Sequence, residues 1–529
     1  MSANQAIDKL PPLINALQQA EAYPHPIETI TLFETHISWV LLTGEYVYKI
    51  KKPVDFGFLD FSTLEKRRFY CEEELRVNHR LAPQLYLAVI PICGTPDTPH
   101  IDGTGSVFEY AVKMRQFDPQ KTFDELLAHD ALTLSVIDET ATVLAGFHQH
   151  IAVAEPDTHF GTPAAIEQPV QENFTQLERT LTDTQNADNI HNTSKTLEQW
   201  SKTRSETLRA IFQQRKQAGF IRECHGDLHL RNIVLWNNQV VPFDGIEFNA
   251  NLRWIDVMSE LAFLLMDLDD HQQKTLSRHL LNRYLSLTGD YHGLTTLRFY
   301  QVYRAMVRAK VASLRLAQTA DANETKNGLE EIHNYIQIAE NYTQPSPVNL
   351  IITRGLSGSG KSYLAQQLAL NADLIHLRSD IERKRLFGLG ETDRSDSHIN
   401  TGIYQRDATH ATYEQLYTLA ETCLTNGFSI IVDATFLQHS QRALFLALAQ
   451  QLKCHFRILD CQTTPDIMRQ RIQQREQQGT DASEANLQVL EEQLKKQHPL
   501  DSNEKQYALS VDTTADADIP DILNQLLTS

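Results

Sequence analysis

Eight residues constrain this chain more than any others: Gly355-Leu356-Ser357-Gly358-Ser359-Gly360-Lys361-Ser362, between the apolar run Asn349-Leu350-Ile351-Ile352-Thr353 and the helix-prone Tyr363-Leu364-Ala365-Gln366-Gln367-Leu368. A glycine-rich turn between a buried strand and a helix gathers backbone N–H groups and the positive helix end around one point, the cradle a phosphate needs. Lys361 is then placed for β/γ-phosphate oxygens and Ser362 for a divalent cation. A second phosphate-handling pattern lies upstream, His225-Gly226-Asp227-Leu228-His229-Leu230-Arg231-Asn232, with Asp227 and Asn232 five apart. That spacing suits a loop in which a carboxylate orients an acceptor hydroxyl and an amide ligates metal, on an unrelated architecture. One domain needs only one of these devices, so the chain reads as two nucleotide-binding units.

The hydrophobic rhythm supports the division. Ser38–Leu42 and Tyr46–Ile50, with Thr43-Gly44-Glu45 between them, predict a β-hairpin. Ser62, with Glu65 three residues on, predicts the capping box of a helix running to Leu81. Gly94 to Gly105 reads as a hairpin loop, Thr182–Thr196 as a surface loop, and Ile221–Phe248 as short strands, with helices from there to Tyr342. Thr343-Gln344-Pro345-Ser346-Pro347 is the expected linker, because its prolines stop the preceding helix. Beyond it, Asn349–Thr353, Leu374–Leu377, Ser429–Val432 and His455–Leu459 alternate with helical segments, the pattern of a parallel sheet. The expected domains are 1–345 and 348–529.

Around Asp227 the sequence offers a full set of parts. Val240-Val241-Pro242-Phe243 is a strand delivering Asp244, with Glu247 close behind; upstream, Lys49 ends a strand and Glu74 rides the following helix. In these residues the segment from Glu34 to about Tyr342 resembles the aminoglycoside phosphotransferase-like branch of the protein-kinase superfold, whose loop begins His-Gly-Asp. The resemblance implies an α+β, two-lobed kinase-like domain, with a small lobe at about 30–112 and a large lobe at about 113–342. It further implies Asp227 as catalytic base, Asn232 and Asp244 as Mg²⁺ ligands, Lys49 on the α/β-phosphates, Glu74 orienting Lys49, and Glu109 at the adenine-binding hinge. Glu34-Thr35-His36-Ile37-Ser38 stands where protein kinases carry a Gly-rich loop, and Lys51 shares the strand face of Lys49. His225 is expected to brace the loop and His229 to be exposed.

In the C-terminal part, Asp380 and Arg383 follow the second strand one helical turn apart, where a base and an anion-holding group would face an acceptor. Asp433 ends the strand Ser429–Val432 and suits the metal's water shell; no glutamate follows it, which argues against a motor-type ATPase. Arg469, Arg471 and Arg475, with the loop Gln477-Gln478-Gly479-Thr480-Asp481, read as a lid bringing guanidinium groups to the γ-phosphate. The segment from Asn349 to Leu527 looks like the small P-loop kinases grouped with zeta toxins, phage polynucleotide kinase and chloramphenicol phosphotransferase. That resemblance implies an α/β P-loop domain with a parallel sheet, γ-phosphate transfer to a hydroxyl, and Asp380 as base. The nucleotide is then held by Gly355, Gly358, Ser359, Gly360, Lys361, Ser362, Arg471 and Arg475, with Ser362 and Asp433 on the metal. The two-part layout resembles a bacterial fusion labelled as an AAA-family ATPase or phosphotransferase.

Composition narrows the partners. The formal net charge is −19, with acids in excess in both parts, so polyanions are repelled and nucleic acid is not expected as a partner. No apolar run approaches the ~18 residues that span a bilayer. The six cysteines form no CxxC pair, and a cytoplasmic protein is expected. The expectation is therefore a bifunctional phosphotransferase using ATP and Mg²⁺ on small hydroxylated molecules. Alternatives are one unit regulating the other, or a polynucleotide 5′-kinase in the P-loop half.

Overall fold

The computed structural model describes residues 10–57, 59–182, 188–317, 322–395, 406–478 and 482–527. The chain packs as two compact units, residues 1–132, 150–166 and 212–264 forming the first and residues 133–149, 167–211 and 265–529 the second.

In the first unit, β1 (Thr31–Glu34), β2 (Ser38–Leu42), β3 (Tyr46–Lys51), β4 (Tyr86–Thr95), β5 (Thr98–Ile101) and β6 (Val107–Arg115) form an antiparallel sheet in the order β1-β2-β3-β6-β4-β5. The expected hairpin is β2–β3. The expected Gly94–Gly105 loop is shorter than read, because Thr98–Ile101 folds back on β4 as a strand. Alternation along β3 decides what each face carries. Tyr48 and Ile50 enter one apolar cluster with Trp39, Leu41 and Ile92, while Val47 enters another, on the opposite face, with Cys71, Tyr86 and Val112. Lys49 and Lys51 share the face of Val47, toward the helix Leu64–Asn78.

That helix begins later than the sequence suggests. Its N-cap is Thr63, whose Oγ1 accepts from Lys66 N at 3.3 Å, whereas the Ser62 hydroxyl donates to Asp60 at 2.6 Å. An acid two residues before Ser62 competes for its hydroxyl, and Thr63 takes the cap. Short pairs complete the unit: β7 (Ile221–Glu223) with β10 (Trp254–Asp256), and β8 (Ile233–Trp236) with β9 (Gln239–Pro242). The expected surface loop over Thr182–Thr196 is helical from Asp188, within Asp188–Gln217; residues 183–187 lie outside the described residues.

The second unit holds the parallel sheet, β11 (Asn349–Arg354), β12 (Leu374–Arg378), β13 (Ser429–Asp433), β14 (His455–Gln462) and β15 (Ala508–Asp512), in the order β12-β13-β11-β14-β15. Four of its strands, β11 to β14, are the expected ones; β15, the edge strand beside β14, with its weaker apolar pattern, was not anticipated. Leu350, Ile351 and Ile352 are fully buried, as the central strand of a parallel sheet requires. Ile351, Ile431 and Leu459 pack with Leu364, Ala365 and Leu368 of the helix that follows the glycine loop. No described helix is long and apolar enough to cross a membrane, and among the described residues the six cysteines form no disulfide.

Candidate active sites

In the first unit the site grows from the loop after β7. Gly226 has φ +90°, and a Cβ there would lie 2.7 Å from the Leu252 carbonyl, so only glycine fits. Glu260 fixes the turn, accepting from His225 N at 2.9 Å and Gly226 N at 2.7 Å. The His225 ring spans the loop: Nε2 donates to the Phe243 carbonyl at 2.7 Å and Nδ1 accepts from Asp227 N at 3.3 Å. Burial lowers its pKa, in keeping with a neutral ring that donates and accepts.

These contacts aim the carboxylate. Asn232 Nδ2 donates to the Asp227 main-chain oxygen at 3.0 Å and to its Oδ2 at 3.1 Å. Asn232 O in turn accepts from Phe243 N at 2.9 Å, bringing Asp244 beside the loop. Asp244 sits at φ +61°, its N–H donating to Tyr86 Oη at 3.1 Å and its side chain half exposed. Lys49 reaches Asp244 at 2.7 Å and Glu74 at 2.8 Å. Burial opposes charge on Lys49, but Asp244 and Glu74 outweigh it and hold the ammonium well above its usual range. Asp227, Asn232, Asp244, Lys49 and Glu74 thus meet in one place.

Two expectations change here. Glu109 does not join the group: it is buried and gripped by Arg67, whose Nε lies 2.8 Å from Oε2, with Arg67 Nη1 on the Phe61 carbonyl. It sits near the start of β6, and its alternation turns it against the helix Leu64–Asn78. His229 is buried instead of exposed, with Nε2 3.4 Å from Asp227 Oδ2 and its ring edge against Phe263. The sequence missed Glu260, a helical acid with no local signal, and Tyr86.

In the second unit every element meets at the carboxyl ends of the strands, where open parallel sheets bind ligands. The glycine loop leaves β11 with Gly355 at φ +151°, Gly358 at +80° and Gly360 at +84°. A Cβ on Gly358 would lie 2.6 Å from the Met468 carbonyl, so the loop hugs the helix Pro465–Gln478. A cleft of about 480 Å³ brings together Gly358, Gly360, Lys361, Ser362, Asp380, Arg383, Asp433, Arg471 and Arg475. Gly355 and Ser359 lie beneath it; Ser359 is fully buried and its carbonyl accepts from Thr513 Oγ1 at 2.7 Å, so its side chain packs rather than lines the cleft.

Lys361 folds back onto the Leu356 carbonyl at 2.8 Å, and burial lowers its pKa against the pull of Asp433. Asp433 sits opposite Arg378 in the β12–β13 register and lies 3.5 Å from His376 Nε2. Burial works against its charge, yet His376, Arg378 and the Ser362 hydroxyl bring its pKa down to about 2. Arg383 Nη1 donates to Thr409 Oγ1 at 3.3 Å. Arg471 is anchored on the Thr513 carbonyl at 2.5 Å and Arg475 on the Ala485 carbonyl. Arg469 does not face the cleft: it is exposed and pairs with Asp466 and Glu491. Residues 479–481 of the expected lid loop lie outside the described residues. His376 and Arg378, which hold Asp433, were missed because strand pairing places them, not sequence spacing.

Both sites offer hard oxygen donors of the kind Mg²⁺ takes: the half-exposed Asp244 carboxylate and the Asn232 amide in the first, the Ser362 hydroxyl and the ionised Asp433 carboxylate in the second.

Residues 47–299 match the family model described as phosphotransferase enzyme family, and residues 350–500 match that described as AAA domain. The chain joins a phosphotransferase-family domain to a P-loop domain. Its enzyme class is ATP-dependent phosphotransferase, that of the family matched by its N-terminal part. An uncharacterised protein of Mycobacterium tuberculosis (strain ATCC 25618 / H37Rv) is 29% identical over 462 residues, covering 87% of this chain and 89% of its own. A counterpart in Mycobacterium bovis (strain ATCC BAA-935 / AF2122/97) matches to the same extent. Among solved structures, choline kinase from Cryptosporidium parvum Iowa II is 11% identical with TM-score 0.39, covering 62% of this chain and 95% of its own. A gluconokinase from Sinorhizobium meliloti 1021 is 16% identical with TM-score 0.24, covering 35% and 91%.

Proposed function

We propose that the phosphotransferase has two active centres, each moving the γ-phosphate of ATP to a hydroxyl of a small molecule. The observation that carries this reading is that each unit, by itself, gathers an ammonium, a candidate base and metal-type oxygens in one place. In the first centre, within domain 1–345, Asp227 takes the hydroxyl proton, Asn232 and Asp244 hold Mg²⁺, and Lys49, set by Glu74, meets the phosphates. In the second, within domain 348–529, Asp380 takes the proton and Arg383 orients the acceptor. There the glycine loop and Lys361 cradle the nucleotide, Ser362 and Asp433 hold Mg²⁺, and Arg471 and Arg475 face the γ-phosphate. Mg²⁺, when bound, supplies charge neutralisation of the β- and γ-oxygens.

Small, neutral or weakly charged acceptors suit the net charge of −19 better than a polynucleotide does. Six cysteines outside any disulfide suit a reducing, cytoplasmic setting. The test is incubation of the full chain with ATP and a cell metabolite extract, with mass spectrometry for species that gain phosphate. Two distinct products, one lost in Asp227→Ala and the other in Asp380→Ala, support the reading; labelling of 5′-hydroxyl oligonucleotides in their place refutes it.

A further inference from the structure

Strand β3 presents two lysines to the first centre, and the structure gives them unlike environments. The Lys49 side chain keeps 14% of its surface open and reaches the half-exposed Asp244; the Lys51 side chain has none. Lys51 donates to Glu74 Oε2 at 2.7 Å and to Glu247, and its ammonium lies 4.7 Å from the centre of the Phe61 ring. The two oxygens of Glu74 are divided, Oε1 to Lys49 at 2.8 Å and Oε2 to Lys51. With two ammoniums beside it, Glu74 is held well below the usual carboxylate range despite burial. Glu247, beside Lys51 and deeply buried, is pushed up.

A sealed ammonium does not meet a diffusing phosphate without rearrangement, so the reachable lysine is Lys49. A buried ion pair also adds little net stability over apolar packing, which directs attention to what this bridge arranges. It joins three elements: strand β3, the helix Leu64–Asn78 through Glu74, and the loop of Asp244 through Glu247, three residues further on.

We propose that Lys51 is a positioning residue of the first centre, bridging Glu74 and Glu247 so that Asp244 stays in register with Lys49, the lysine that meets the nucleotide. The inference rests on the two-centre reading above and deepens it. Removing Lys51 leaves Lys49 its own partners but releases the loop of Asp244, so chemistry suffers more than nucleotide binding.

The test uses the full chain carrying Lys361→Met, which silences the P-loop centre, with MgATP as probe, calorimetry for binding and hydrolysis with water as acceptor for turnover. Lys51→Met is expected to keep MgATP affinity within ~3-fold while turnover falls ~30-fold, whereas Lys49→Met loses affinity by ~10-fold or more. Glu247→Gln is expected to reproduce the turnover loss. The double variant K51M/E247Q removes both buried charges and is expected to regain the parent melting temperature without regaining turnover, which keeps the test open even if Lys51→Met alone folds poorly. Turnover recovered with stability in the double variant would reduce Lys51 to charge balance and overturn the proposal. So would Lys51→Met weakening MgATP binding as much as Lys49→Met, or leaving turnover unchanged. Absence of MgATP binding with Lys51 intact would instead sink the two-centre reading itself, and the inference with it.

Discussion

The Lys49 ammonium lies 2.7 Å from the Asp244 carboxylate, joining strand β3 to a loop 195 positions further along the chain. Because Asp244 is half exposed while Lys49 is mostly covered, the carboxylate is the partner free to turn toward an incoming cation. Asp244→Asn keeps the shape and removes the charge. Turnover at the first centre is expected to fall by ~10²-fold, the scale for loss of a charge-stabilising group, and half-saturation to need more Mg²⁺. A Mg²⁺ titration of ATP turnover in the Lys361→Met chain checks this.

Gly358→Ala tests the second cradle. At φ +80°, with the Met468 carbonyl 2.6 Å from the added Cβ, the loop must move off the helix Pro465–Gln478. Backbone strain of this kind costs about 1–3 kcal/mol, and the phosphate cradle opens with it. MgATP binding at the second centre is expected to weaken by at least ~10-fold, read by calorimetry, with the first centre unaffected.

Glu260→Ala tests the support of the first loop. It strips the His225 and Gly226 N–H groups of their acceptor in a buried place, at a cost of about 2–6 kcal/mol for the pair. Urea unfolding followed by tryptophan fluorescence is expected to show that loss, and an unchanged midpoint would contradict the bracing role.

Glu223 gives the fold a pH signature. Burial favours its neutral form, but Arg76, Arg253 and Arg80 around it bring the pKa from 4.5 down to about 2. A folded pKa below the unfolded one means the unfolded chain binds more protons in between. The stabilisation is therefore complete above about pH 4.5 and is lost as pH falls toward 2. Glu223→Gln is expected to lower stability at neutral pH and to flatten the decline over that window, measured by thermal melts from pH 7 to pH 3.

What was legible in the sequence followed short-range rules. The glycine loop, the Asp227–Asn232 spacing and the alternation of β3 depend on a few neighbouring residues, and the fold places them as their periodicity requires. Readings failed where a distant partner decides. Glu109 is committed to Arg67, 42 residues away, and Glu260 reaches back 35 residues to His225. His229 is buried against Phe263, and His376 and Arg378 gain their meaning only from the register of β12 on β13. Ser62 lost the helix cap to Thr63 because Asp60 holds its hydroxyl, a local competition finer than the capping pattern resolves.

The most direct test of two independent centres is ATP-dependent labelling of metabolites by the wild-type chain, Asp227→Ala, Asp380→Ala and the double variant, with MgATP binding measured alongside. Each single variant is predicted to lose one product by ~10³-fold or more while keeping the other and both MgATP sites, and the double variant to lose both products. Loss of both products in either single variant would contradict independence, and survival of both products in Asp227→Ala would show that the first unit performs no transfer.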